Sequence, residues 1–196
     1  MSYNYRGIPC LKSPLDISIY LRLLHDCRPV SIIEIGSKHG GSALLLRDFG
    51  RTIVGPEVHV TSIDIKPPDI QLEGVTFLEG DVLDLGSVFS RHGLERLPRP
   101  WLVIEDSAHT AAGCRAALDF FAARLHEGEV LAMEDGILAD LGMAGRYGGG
   151  PNRAIADFLT EHPEVYRIAS RYCDMFGPNA TYNPNGYLER TGIKFP

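Results

Sequence analysis

The chain is poor in cysteine, carries fewer bases than acids and has no long apolar run, and each shortage removes a class of protein. Its four cysteines, Cys10, Cys27, Cys114 and Cys173, are spread over 196 residues with no Cys-x-x-Cys pair. Neither a zinc knuckle nor a dithiol redox motif is present, and the four read as reduced packing thiols. Lys and Arg number 19 against 25 Asp and Glu, for a net charge of -6. Nucleic acids and anionic membranes are bound by clustered cations; here the basic residues are scattered, so neither is an expected partner. No apolar stretch approaches the ~20 residues of a membrane-spanning helix, and Met1-Ser-Tyr-Asn-Tyr-Arg-Gly7 lacks the apolar core of a secretory signal. A cytoplasmic protein is expected, with residues 1–196 forming one domain.

What is present is an alternation of short apolar runs and amphipathic stretches. Leu15 to Cys27 carries Leu15, Ile19 and Leu23 at helical spacing, with Tyr20 and Leu24 between. Val30 to Gly36 reads as a buried strand, Ser42 to Phe49 as a helix, and Val58 to Ile65 and Val75 to Glu79 as two further strands. Two more apolar runs begin at Trp101 and Gly128, separated by a helix from about Ala111 to His126. Such alternation builds a mainly parallel α/β sheet with helices on both faces. Gly136 to Pro151 is glycine-rich and reads as a mobile loop suited to a lid. Arg153 to Glu161 is then a helix, while Val165 to Tyr172 and Gly186 to Arg190 are expected to pair as an antiparallel hairpin at the sheet edge.

Chemistry concentrates where strands end. Trp101-Leu-Val-Ile-Glu-Asp-Ser-Ala-His109 and Gly128-Glu-Val-Leu-Ala-Met-Glu-Asp135 close on carboxylates at what should be one edge of neighbouring parallel strands. Asp106, Glu134 and Asp135 meeting there would repel one another unless a cation joined them, and oxygen ligands alone suit a hard ion such as Mg2+. His109 lies within reach as a base. Earlier, Glu34-Ile-Gly-Ser-Lys-His-Gly-Gly-Ser42 occupies the strand-to-helix turn where open α/β sheets bind nucleotide-like ligands. Lys38 stands where a dinucleotide fingerprint has its middle glycine. Glu34 before the first glycine disfavours phosphate and suits a ligand bearing an amine and a sulfonium. The same residues would also serve as a plain tight turn. Asp64 ends the second strand, where a carboxylate accepts hydrogen bonds from both ribose hydroxyls, and Asp81 follows the third, in reach of an adenine amine.

Taken together, these residues make the chain resemble class I S-adenosylmethionine-dependent methyltransferases. More narrowly, it resembles the family named for cephalosporin hydroxylase and the rhamnosyl O-methyltransferases. The likeness runs through Gly7-Ile-Pro-Cys-Leu-Lys-Ser-Pro-Leu-Asp16, Glu34 to Ser42, Ser62-Ile-Asp-Ile65, Asp106-Ser-Ala-His-Thr110, Met133-Glu-Asp-Gly136, Gly150-Pro-Asn and Asn183-Pro-Asn-Gly-Tyr-Leu188. It implies a Rossmann-like methyltransferase fold with a mainly parallel seven-stranded sheet and an antiparallel C-terminal hairpin. It further implies S-adenosylmethionine bound around Glu34, Gly36, Ser37, Gly40, Ser42, Asp64, Asp81 and Asp106, and Mg2+ held by Asp106, Glu134 and Asp135. Asp106 and His109 would be the catalytic pair, with His109 as base. The expected activity is Mg2+-dependent O-methylation of a hydroxyl on a sugar or small natural-product intermediate. Two other readings stay open: cyclisation or decarboxylation with the same cofactor, and nucleoside binding without turnover. An iron hydroxylase is disfavoured, because it wants two histidines and a carboxylate and the acidic motifs hold only His109. Lys12 is a candidate for the cofactor cleft, although a lone lysine is ordinarily solvated. Tyr147, Tyr172, Phe176 and Tyr182 either wall an acceptor pocket or pack the hairpin. A short chain with a glycine lid also raises self-association as an expectation.

Overall fold

Runs of Ile, Val and Leu too short for helices become strands, and the amphipathic stretches between them cover both faces. The structure is a computed structural model that describes residues 3–195. In chain order the elements are β1 (Asn4–Tyr5), β2 (Ile8–Pro9), α1 (Pro14–Cys27), β3 (Ser31–Ile35), α2 (Gly41–Ile53), β4 (His59–Asp64), β5 (Val75–Glu79) and α3 (Leu85–His92). They continue with β6 (Trp101–Glu105), α4 (Ala111–Ala122), β7 (Val130–Met133), α5 (Gly150–Glu161), β8 (Tyr166–Ile168), α6 (Ser170–Cys173) and β9 (Tyr187–Arg190). Seven strands form one sheet in the order β5-β4-β3-β6-β7-β9-β8. The pairs from β5 across to β7 are parallel, whereas β9 runs antiparallel to both β7 and β8.

Alternation along each strand divides the core in two. Ile33, Ile35, Val103, Leu131 and Met133 pack on one face with residues of α3, α4 and α5. Ile32, Val60, Leu102, Ile104, Val130 and Ala132 pack on the other with α1, α2 and α6. The chain leaves β3 for β4 on one side and returns to β6 on the other, so a crevice opens between β3 and β6 at their carboxyl ends. The helix starts facing that edge are built locally. Ser13 caps α1 by accepting a hydrogen bond from the Asp16 N–H, with Pro14 in the first turn. Thr110 caps α4 through the Gly113 N–H.

The expected architecture is present, with local differences. The lead before α1 forms the small hairpin β1–β2, whose two-residue strands are too short to show a period. The stretch expected as one strand from Val165 to Tyr172 is strand only to Ile168; it turns at Ala169 and continues as α6, burying Tyr172 and Cys173. The glycine-rich stretch contains two short 3-10 turns, Gly136–Leu138 and Ala144–Tyr147, and α5 begins at Gly150, before Arg153, because Pro151 suits a first helical turn. In the C-terminal hairpin it is β9 that lies inside, and β8 forms the edge. No described helix is long and apolar enough to cross a membrane.

Phe121 is fully buried and meets Phe89 and Phe120 edge-on, with ring centroids 5.7 and 5.1 Å away. Phe121→Ala should lower the unfolding free energy in urea by about 3–5 kcal/mol; a loss below about 1 kcal/mol would show that this part of the core repacks freely.

Candidate active site

The sheet ladder carries on past the strand ends and fixes the residues that follow. Gly36 N–H donates to Ile63 O at 2.7 Å, Asp106 N–H to Ile35 O at 2.8 Å, and Glu134 N–H to Glu105 O at 2.9 Å. The crevice is narrow at this point. Gly36 has φ 106°, and a Cβ there would stand 2.1 Å from the Asp106 carbonyl oxygen. Only glycine fits both constraints.

Two cavities meet at this edge. The larger, about 600 Å3, is lined by Gly36, Asp64, Ile65, Asp81, Leu83 and Asp106 among others. Asp64 accepts from the Lys38 N–H at 2.9 Å through one oxygen and from the Lys66 N–H at 2.8 Å through the other. Asp81 Oδ1 accepts from the Leu83 N–H at 2.9 Å. Ile65 and Leu83 are 72% and 64% exposed, so two large apolar faces stand open at the cavity wall. The smaller cavity, about 140 Å3, is lined by Ser37, Ser42, His109 and Asp135, and shares Gly36, Lys38, Asp106 and Ser107 with the first. A separate open cavity of about 520 Å3, under residues 67–73, holds none of the expected site residues.

Glu34 and Gly40 line neither of the two joined cavities. Glu34 shares the sheet face of Ile32, under the start of α2, and is fully buried. Its Oε1 accepts from Ser42 Oγ and its Oε2 from Ser62 Oγ, each at 2.5 Å, while Ser37 Oγ and Ser62 Oγ lie 2.7 Å apart. Burial pushes the Glu34 carboxyl up, against the opposing pull of Lys12 and the two hydroxyls. Here Glu34 braces the glycine turn from beneath. Gly40, with φ 81°, leaves room for Phe77 and Ile70.

Asp106, His109 and Asp135 come together, each offering one donor atom within 4.8 Å of the others. His109 Nε2 lies 3.2 Å from Asp135 Oδ2 and 3.9 Å from Asp106 Oδ1. His109 Nδ1 is buried without a hydrogen-bond partner. The Tyr147 ring stands edge-on to the imidazole at 6.2 Å. Lys38, His109 and Asp135 have φ of 44°, 55° and 59°. Such backbone is unfavourable for residues with a Cβ and collects where a site imposes it.

Glu134 faces inward, away from that trio. Its Oε1 accepts from Lys12 Nζ at 2.6 Å and from Tyr20 Oη. Lys12 Nζ also donates to Asp106 Oδ2 at 2.5 Å. Lys12, for which solvation is the ordinary expectation, is thus buried between two acids. Neither it nor Tyr20 carries a local signal of this role, since Lys12 and Glu134 are 122 positions apart. Burial alone would disfavour the ammonium, but the charges of Asp106, Glu134 and Glu34 hold Lys12 well above the ordinary lysine range. Burial pushes Asp106 up to about 7, with Lys12 opposing. Burial and the Asp106 charge push Glu134 up to about 8. The Asp106 side chain is 21% exposed to the cleft and Glu134 only 6%, so the effect falls more heavily on Glu134. Of the four aromatics, Tyr172 is fully buried against Tyr187, while Phe176 and Tyr182 are exposed.

The model of the Rhamnosyl O-methyltransferase/CmcI family matches residues 1–191. The chain belongs to that family. A rhamnosyl O-methyltransferase of Mycobacterium leprae is 30% identical over 192 residues, which are 95% of this chain and 82% of the relative. An apo structure of CmcI superposes with a TM-score of 0.76 at 25% identity, covering 97% of this chain and 77% of that one. A CmcI structure described with Mg and SAM gives 0.74 at 27% identity, covering 96% and 76%. The seven-stranded sheet with its antiparallel end is the fold shared with these family members.

The raised carboxyls give a signed pH effect. The folded protein holds protons on Glu134 and Asp106 that the unfolded chain has already released, so stability falls as pH rises toward about 8. In chelator, the Tm should therefore drop between about pH 5 and pH 8, and Glu134→Gln should flatten that drop. A wild-type Tm that holds level or rises across this range contradicts it.

Proposed function

We propose that this chain transfers a methyl group from S-adenosylmethionine to a hydroxyl of a sugar or small natural-product intermediate, with Mg2+ held at the acids. The observation that carries this reading is the junction at Asp106, where a cavity of about 600 Å3 edged by carboxylates and apolar walls opens onto a cluster of acids and a histidine. Support also comes from the family, whose Mycobacterium leprae member is named a rhamnosyl O-methyltransferase, and from the CmcI structure described with Mg and SAM.

In the larger cavity, Asp64 is aimed by two backbone amides, and each of its oxygens keeps a lone pair for a ribose hydroxyl. Asp81 has one oxygen engaged at Leu83 N–H and one left for an adenine amine. Ile65 and Leu83 supply apolar surface for the base. The donors fit a hard cation: Asp106 and Asp135 present carboxylate oxygens at one point, with His109 Nε2 beside them. Asp106 and Asp135 would hold the ion from the cleft side, and Glu134 would join them only on turning from Lys12 and Tyr20. A divalent cation bound there supplies Lewis acidity, lowering the pKa of an acceptor hydroxyl. His109, beside Asp135 and Asp106, takes the acceptor proton at Nε2. Residues 136–149 bring Tyr147 edge-on to the imidazole.

Calorimetry with S-adenosylhomocysteine and melting with Mg2+ test the two ligands separately; no binding of the nucleoside removes the methyltransferase reading. Against a panel of glycosides and vicinal diols, turnover appears as a gain of one methyl group. His109→Ala should then cut kcat by about 10^2 to 10^4 with nucleoside affinity kept, and Asp106→Asn should abolish the response to Mg2+. Full turnover in excess chelator would remove the cation from the scheme.

A further inference from the structure

Two of the shared motifs, Lys12 to Asp16 and Asn183 to Leu188, take no part in the chemistry above. In the fold they bind each other and, between them, touch all three acids at the strand ends. Lys12 Nζ takes one oxygen from Asp106 and one from Glu134. Asn183, 1% exposed, uses Oδ1 to accept from the Asp135 N–H at 2.9 Å. Asp135 has φ 59°, a conformation that costs about 1 kcal/mol or more for a residue with a Cβ, and this hydrogen bond holds it there.

Asp16, 2% exposed, joins the two grips. Its carboxylate accepts from Ser13 Oγ at 2.6 Å, Tyr182 N–H at 3.2 Å, Tyr187 Oη at 3.1 Å and Thr181 Oγ1. Asn183 is fixed from the same hub, donating its N–H to Thr181 Oγ1 and its Nδ2 to Tyr187 Oη, both at 3.0 Å. Four donors meet on one buried carboxylate, and three of them, from Thr181, Tyr182 and Tyr187, would be left unmade by a shift of one segment against the other, which makes a rigid pin.

We propose that these two segments form a single clamp in which Lys12 and Asn183 are positioning residues, holding Glu134 back from the cleft, fixing which carboxylate oxygens of Asp106 and Asp135 face it, and so setting the cluster's affinity for a divalent cation. The inference rests on the reading that the cluster binds a cation, and the test separates the two.

The full-length chain and its Lys12→Met and Asn183→Leu variants are titrated with Mn2+ by electron paramagnetic resonance and with S-adenosylhomocysteine by calorimetry. Exchange of the Asp135 amide is followed by NMR without metal. The clamp requires Mn2+ binding at least tenfold weaker in each variant, nucleoside affinity within about twofold, and Asp135 exchange at least tenfold faster in Asn183→Leu. A merely structural role would move both ligands together. Folded variants that bind Mn2+ as tightly as the wild type overturn the proposal. If the wild type binds the nucleoside but no Mn2+, the cation reading falls and takes the affinity claim with it. Should Lys12→Met and Asn183→Leu not fold, the double variant Thr181→Val with Tyr187→Phe cuts both links from Asp16 to Asn183 without touching an acid of the cluster. Unchanged Mn2+ affinity and unchanged Asp135 exchange in that variant overturn the clamp.

Discussion

The ammonium of Lys12 stands within 2.6 Å of two carboxylates that follow neighbouring parallel strands, and it opposes the burial that pushes both toward the protonated form. A buried ion pair of this kind adds little net stability, since desolvation consumes most of the attraction. What it does is fix a geometry. It binds the chain's entry into α1 to the ends of β6 and β7, and it orients acids that water would otherwise leave free to rotate. The remaining negative charge is directed outward, into the crevice, where a second cation is favoured.

Around that centre the sheet works as a ruler. Hydrogen bonds continue beyond β3, β6 and β7, so Gly36, Asp106 and Glu134 have their backbones set by neighbouring strands before any side chain contributes. The close approach of Gly36 to Asp106 then brings the larger cavity directly against the acids. The two cavities share Gly36, Lys38, Asp106 and Ser107, which under the proposed function suits a reaction in which two bound groups must meet within about 3–3.5 Å.

The parallel sheet was readable because buried strands and amphipathic helices leave strong, repeated periods, and because acids at several strand ends point to one edge. Lys12 was not, since nothing local distinguishes a lysine that pairs with a residue 122 positions away. Glu34 shows a different limit. It stands at the right place in the sequence for a cofactor contact, yet strand alternation puts it on the face of Ile32, where Ser42 and Ser62 occupy both oxygens. Val165 to Tyr172 reads as one strand from the sequence, but the turn at Ala169 depends on the bond from its N–H to Tyr187 O, a contact made only in the folded sheet.

The order of strands at the sheet's antiparallel end also bears on how the molecule is made. β8 pairs only with β9, although β9 lies later in the chain and sits between β8 and β7. During synthesis, β8 therefore leaves the ribosome with no partner, and the exposed flank of β7 waits for the same late segment. Residues 181–190 both complete the sheet and supply the bond to the Asp135 amide, so a molecule that has not placed this segment lacks that support for its acid cluster as well.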